Sequence, residues 1–186
     1  MNFVLLIIYT ISLGLYFPLN RRPSTYYFPS IIDRNVPLIP ASVWIYSSYY
    51  LLHPLAIIAV WIKNPDSSLL VVLIISTLVS SLIWWILPNG VRRPKLIEIR
   101  TVSQKLLSYI YSKDNDSNAF PSGHISHTII CCYFLSLSYP SLSLPLYVWC
   151  VAICISTLTT KQHYFIDYIF TVPLTLFLIS LVQYLA

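Results

Sequence analysis

The chain has 186 residues, 57% of them apolar and only 9% charged, which excludes an ordinary soluble domain, where about a quarter of residues carry charge. Eleven Lys and Arg against six Asp and Glu give a net charge of +5. In a soluble protein that excess would point to nucleic acid. Here the basic residues flank long apolar runs, so phosphate or anionic lipid is the expected partner and nucleic acid is not.

Six apolar stretches follow in order: Phe3 to Leu19, Ala41 to Ile62, Ser67 to Leu87, Phe120 to Tyr139, Leu142 to Thr160 and Tyr164 to Leu185. Each is near the ~20 residues that cross a hydrocarbon core. The expected fold is therefore all-α, an integral membrane bundle of six transmembrane helices forming a single domain over residues 1–186. The first stretch reads as a retained helix, because Met1-Asn2 supplies no positive leader and no small-residue cleavage site follows Tyr16-Phe17-Pro18. In the second, His53 precedes Pro54 and accompanies a kink. Cys131, Cys132, Cys150 and Cys154 all lie inside spans, where a thiol behaves as a small hydrophobe, and they show neither a disulfide framework nor zinc spacing.

Alternating spans bring the segments Asn20 to Pro40, Pro88 to Ala119 and Lys161 to His163 out on one face, with both termini on the other. Every Lys and Arg except Lys63 falls on that first face. The positive-inside rule would make it cytoplasmic, but a phosphate site collects cations on either side, so the orientation stays open. Trp84, Trp85, Tyr26, Tyr27 and the Tyr46, Tyr49, Tyr50 group fall near span ends as interface anchors. Within the long polar excursion, Ile97 to Tyr111 is expected to form an amphipathic surface helix. Asp114 and Asp116 read as a solvated turn, and Asp33 as a partner of Arg34 or of a headgroup.

Three short phrases carry the chemistry. In Lys161-Gln162-His163-Tyr164-Phe165-Ile166-Asp167, a four-residue spacing on a helix would stack His163 and Asp167 on one face. The carboxylate would then fix the tautomer and leave the other ring nitrogen with its lone pair, as a nucleophile or base requires. Taken alone, this spacing reads sooner as an interfacial histidine beside an acid. Pro121-Ser122-Gly123-His124 opens a helix whose first N–H groups are free to meet an anion. Ser122 adds a hydroxyl, and His124, protonated, could serve as general acid. The phrase Pro88-Asn89-Gly90-Val91-Arg92-Arg93-Pro94-Lys95 brings guanidinium groups to the same depth, where they could meet phosphoryl oxygens or simply anchor headgroups. His127, one turn beyond His124, reads as structural.

In combination and order these phrases resemble the type 2 phosphatidic acid phosphatase superfamily, whose signature runs Lys-x6-Arg-Pro, Pro-Ser-Gly-His, then Ser-Arg-x5-His-x3-Asp. Arg93-Pro94, Pro121-Ser122-Gly123-His124 and Ser156 with His163 and Asp167 carry the match over spans three to six. The resemblance implies a lipid phosphatase-like domain in which His163 attacks phosphorus, Asp167 orients it and His124 protonates the leaving group. Ser122, Gly123 and Arg93 would hold the phosphoryl oxygens, with no metal or other cofactor. The chain departs from the signature at Ile86, where lysine is expected, and at Thr157, where a second arginine is. Arg92, Lys95 and above all Lys161 are the candidate replacements. Thr160-Lys161-Gln162-His163-Tyr164 and the early run Ile32 to Pro40 look like a divergent branch that includes inositol phosphorylceramide and sphingomyelin synthases.

The substrate implied is a lipid phosphate or diphosphate, of phosphatidate or isoprenoid diphosphate type. Two alternatives stand beside hydrolysis: transfer of a phospho-headgroup to an alcohol acceptor, and a non-enzymatic membrane relative. The oligomeric state is not legible in the sequence.

Overall fold

A computed structural model describes residues 2–65, 67–96 and 98–185; Met1, Asp66, Ile97 and Ala186 lie outside the described residues. Uninterrupted apolar sequence folds as helix, because in hydrocarbon each backbone polar group must be satisfied within its own segment. Helix α1 (Phe3–Gly14) is capped by the Asn2 side chain on Leu5 N and leads through Leu15 into α2 (Tyr16–Asn20). A short extended strand, β1 (Tyr26–Tyr27), precedes α3 (Ile31–Asn35), and a 3-10 turn at Pro40–Ser42 opens α4 (Val43–Lys63), which holds Pro54 inside it. Next come α5 (Ser68–Ile86), strand β2 (Asn89–Gly90) and α6 (Val102–Lys113). Then α7 (Gly123–Ser138), a 3-10 turn at Pro140–Leu142, α8 (Ser143–Thr159) and α9 (Phe165–Leu185) complete the described helices.

Among the described residues, five stretches reach spanning length and apolarity: Phe3–Asn20, Pro40–Lys63, Ser68–Ile86, Pro140–Thr159 and Phe165–Leu185. The protein is a multi-pass integral membrane bundle. The stretch expected as the fourth span is shorter than the sequence indicates. Helix α7 has 16 residues, or about 24 Å at the helical rise, against a hydrocarbon core of about 30 Å. Both of its ends have a local cause. Ser122 caps the start, its Oγ accepting from Ile125 N at 3.2 Å, and Pro140 disfavours helical geometry at Tyr139, which sits at ψ 73.

The short helix lies at the centre. α7 packs against α4, α5, α8 and α9, while α1 packs against α5 and turns Tyr9 toward His53 and His127. Ile125, Ile130, Cys131 and Cys132 of α7 are fully buried, and Ile7, Ile58, Leu82, Val148 and Phe177 of the surrounding helices face outward. The four cysteines are free thiols. Because lipid tails are as apolar as leucine, helix contacts in a membrane rely on close packing and on polar side chains bonded across helices. Here Ser76 donates to Ser126 (3.1 Å), Thr77 and Tyr49 both meet His127 (3.0 and 3.3 Å), and Trp149 donates to Ser48 (2.8 Å).

The three polar segments knit together at one end of the bundle. β1 and β2 pair in parallel, Tyr26 with Asn89 and Tyr27 with Gly90, and Gly90 bridges to Ser117. Gly90 is demanded by space. A Cβ there would stand 2.2 Å from Asp116 O and 2.3 Å from Ser24 Oγ. The surface helix α6 begins later than the sequence indicated, at Val102, because Thr101 and Gln104 form a capping box. The expected start at Ile97 lies outside the described residues. α6 lies against the Pro40–Ser42 turn and α4, with Trp44 Nε1 donating to Ser103 Oγ at 3.0 Å.

Candidate active site

The site sits where this polar end meets the start of the helices. His163 does not lie on α9, as the four-residue spacing predicts, but in the turn before it, after Lys161 adopts φ 53. Asp167, in the first turn of α9, reaches back instead. Its Oδ2 accepts from Tyr164 N and from His163 Nδ1, both at 3.0 Å. The pairing is thus made by a carboxylate that also caps the helix start, and the backbone N–H holds the acid in place.

His163 Nδ1 faces two acceptors, Asp167 Oδ2 and Ala119 O, each at 3.0 Å. It must therefore carry the ring proton, which leaves the lone pair on Nε2. Ser122 Oγ lies 2.9 Å from Nε2 and donates to it. Ser122 is itself fixed, since its N–H donates to Thr171 Oγ1 at 2.9 Å.

The loop carrying Pro121-Ser122-Gly123-His124 is latched from β2. Asn89 donates to Phe120 O at 2.7 Å and accepts from Phe120 N at 2.6 Å, while Trp84 Nε1 donates to Pro121 O at 3.2 Å. The Phe120–Pro121 bond is cis. Gly123 opens α7 beside the Trp84 ring. The His124 ring lies 5.6 Å from that of His163, flanked by Tyr46 at 4.8 Å and Tyr49 at 4.4 Å between centroids. Its Nε2 is buried with no hydrogen-bond partner among the described residues. His127, one turn on, is held by Tyr49 and Thr77 within the helix core, as its structural reading anticipates.

Arg93 is clamped. Nη1 donates to Asp114 O at 2.6 Å, Nη2 donates to Asp114 Oδ2 at 2.8 Å and to Gln162 Oε1, and the guanidinium lies 5.0 Å over the Tyr111 ring. Asp114 also accepts from Tyr16 OH. The solvated turn expected at Asp114 and Asp116 is in fact a packed loop. Asp116 O accepts from Val91 N, and Asp116 Oδ2 lies 3.4 Å from Tyr27 OH. Burial pushes the Tyr111 hydroxyl up to about 12 despite the neighbouring guanidinium, so it stays protonated and donates to Thr160 O at 2.6 Å. An open cleft of about 520 Å³ leads to Arg93, lined also by Pro94, Lys95, Ser108, Tyr111 and Asp114.

The other expected cations take different places. Arg92 is exposed, with its guanidinium 5.0 Å over Tyr27 and its N–H donating to Tyr164 OH. Lys95 lies on the rim of the cleft. Lys161 Nζ donates to the carbonyls of Asp33 and Val36 at the end of α3. Ile86 faces outward, and Thr157 Oγ1 bonds Cys154 O and Tyr168 OH. Asp33 pairs with neither Arg34 nor an open headgroup surface. It completes a capping box with Ser30, and its Oδ1 accepts from Phe165 N at 2.7 Å, tying α3 to the start of α9. Asp33, Asp114 and Gln162 are the site-end residues that the sequence reading missed. The contacts that bring them to the site span between 21 and 132 residues, beyond any local period.

In a membrane helical bundle, a carboxylate-oriented histidine, a second imidazole facing it and a clamped arginine gathered at one end mark a functional site. The family model of the PAP2 superfamily matches residues 67–186, from the start of α5 through α9, and the chain belongs to that superfamily. Its members generally hydrolyse phosphoric esters and act on lipid phosphates in membranes. Neither the curated proteins nor the solved structures contain a match to the chain.

Proposed function

We propose that the protein is a metal-independent lipid phosphate or diphosphate phosphatase, of phosphatidate or isoprenoid diphosphate type, working through a phosphohistidine. The observation that carries this reading is the His163 environment: a proton held on Nδ1 between two acceptors and a lone pair on Nε2, 5.6 Å from a second imidazole. Nε2 attacks phosphorus and forms a P–N bond as the bond to the leaving oxygen breaks. His124 gives that oxygen its proton. A water then enters from the polar end and loses a proton to His124, and its oxygen displaces the imidazole, releasing phosphate. The incoming phosphoryl group takes the Ser122 hydroxyl off Nε2, so that Ser122, the Gly123 N–H and Arg93 become donors to its oxygens. Lys161, Arg92 and Lys95 supply a positive surround that draws the headgroup in while the apolar tail remains between helices or in lipid.

One observation favours a second reading. The Arg93 charge is already matched by Asp114, which suits a singly charged phosphodiester and hence transfer of a phospho-headgroup to an alcohol. A screen for phosphate release over phosphatidate, isoprenoid diphosphates and sphingoid phosphates, and for headgroup transfer over phosphodiester lipids with an added lipid alcohol, with His163→Ala as blank, decides between them. Free phosphate supports hydrolysis, a new phosphodiester supports transfer, and no product from any lipid leaves a non-enzymatic relative.

A further inference from the structure

We infer that the Gln162 carboxamide is a direct ligand of the phosphoryl oxygens, a neutral donor working beside Arg93; this rests on the phosphoryl-transfer reading above. Gln162 precedes the nucleophile and is only 5% exposed. Its Oε1 accepts from Arg93 Nη2, and its Nε2 has no partner among the described residues. The orientation is dictated by chemistry, because a guanidinium only donates. The carbonyl must face Arg93, and the N–H pair must face away from it.

A buried donor without an acceptor costs about 1–3 kcal/mol, and such groups are few in folded proteins. Of the eight buried side-chain polar atoms without a partner among the described residues, four, three nitrogens and one carboxylate oxygen, belong to residues of the site, while Tyr9 OH, His53 Nε2, Ser81 Oγ and Thr128 Oγ1 lie elsewhere in the bundle. The four are Arg93 Nε, Gln162 Nε2, His124 Nε2 and Asp167 Oδ1. The first two belong to side chains in contact with each other, and the last two flank the ring of His163. Arg93 and Gln162 therefore present neighbouring N–H donors, the second from the residue that precedes His163 in the chain. Only an acceptor-rich, anionic group completes donors of this kind, and the non-bridging oxygens of a phosphate ester do so.

The remaining basic groups explain why a neutral donor is used. Lys161 is engaged by two carbonyls, Arg92 stacks on Tyr27, and Arg93 shares its charge with Asp114. Gln162 adds a hydrogen bond without adding charge, and its carbonyl keeps Arg93 in register at the same time.

The test separates these two roles in the full-length protein. Gln162→Glu keeps an acceptor for Arg93 and removes the donor. Gln162→Met, of similar size, removes the donor without introducing a charge. Two readouts are compared with the unmodified protein: kcat/KM for phosphate release, and the thermal shift induced by inorganic orthovanadate, which needs no turnover. Both variants are expected to lose about 10²- to 10³-fold in kcat/KM, as for removal of one oxyanion donor, and to need at least about tenfold more vanadate for the same shift. Their melting temperatures without vanadate, expected to stay near that of the unmodified protein, verify folding. If Gln162→Glu retains the vanadate response, Gln162 merely holds Arg93; if Gln162→Met, which loses the acceptor for Arg93 as well, retains it, Gln162 serves neither role; either result overturns the inference. Absence of a vanadate shift in the unmodified protein overturns it as well. A normal shift with no turnover of any lipid defeats the phosphatase reading alone, and the vanadate comparison then decides Gln162 by itself.

Discussion

Replacing Asp167 by asparagine probes how the proposed nucleophile, His163, is oriented. In many catalytic histidines the acid alone fixes the tautomer, and its amide variant costs about 10⁴-fold because the ring turns to the wrong protonation pattern. Here Nδ1 has a second acceptor, Ala119 O, at the same 3.0 Å as the carboxylate. That carbonyl belongs to a backbone latched by Asn89 one residue on, so it survives the substitution and keeps the proton on Nδ1. The Asp167→Asn side chain also retains an oxygen for Tyr164 N, and the start of α9 stays capped. What is lost is the charge facing the imidazole as it becomes cationic on bonding to phosphorus. A hydrogen bond to a charged group contributes about 1.5–3 kcal/mol, which at 1.36 kcal/mol per decade corresponds to roughly a 10- to 150-fold loss in kcat. Single-turnover phosphate release, with the phosphohistidine trapped by rapid quenching, measures that step. A loss near 10⁴-fold in a normally folded variant would refute the argument, since it would mean that the Ala119 carbonyl does not hold the tautomer.

Three further outcomes are expected. His163→Ala and His124→Ala each abolish turnover, whereas His127→Ala keeps most of it and loses about 1–3 kcal/mol of stability as Tyr49 and Thr77 lose their buried partner; similar kinetic losses at all three positions would contradict the assigned roles. Gly90→Ala drives a methyl group into Asp116 O and Ser24, an overpacking cost of about 1–3 kcal/mol. It should lower the melting temperature and weaken activity by loosening the loop that positions Asn89 and Arg93, and an unchanged melting temperature would show that the polar end is not built around that close approach. Phosphate release should persist in excess chelator, because the proposed attack and proton transfers use only imidazoles and fixed donors, and full dependence on added divalent metal would overturn the mechanism.

The membrane bundle was legible because its cause is one-dimensional. Apolar run length, proline position and the gathering of basic residues between runs can all be read along the chain, and they correctly gathered residues 20–40, 88–119 and 161–163 at one end. The pairing of His163 with Asp167 was legible in identity but not in form. A turn with Lys161 at positive φ replaces the helix that the spacing implied, and the acid reaches backward to a cap position. The fourth stretch, expected over Phe120 to Tyr139, ends within a residue of where α7 does, but the helix begins only at Gly123, where the Ser122 side chain caps it, and hydropathy carries no information about capping.

Taken alone, the sequence determined that the chain crosses a membrane several times and that its ionisable residues collect at one boundary, since transfer from water to hydrocarbon depends on composition over some twenty residues. It also determined the superfamily, through three phrases that keep their order. Only the tertiary structure decided which groups serve those phrases: Asp114 and Gln162 on Arg93, Ala119 and Ser122 on His163, and Asp33 on the start of α9. It also placed Lys161 against carbonyls. A hydrogen bond requires atoms to meet within about 3 Å, and for groups so far apart along the chain that condition is met only once the helices have packed.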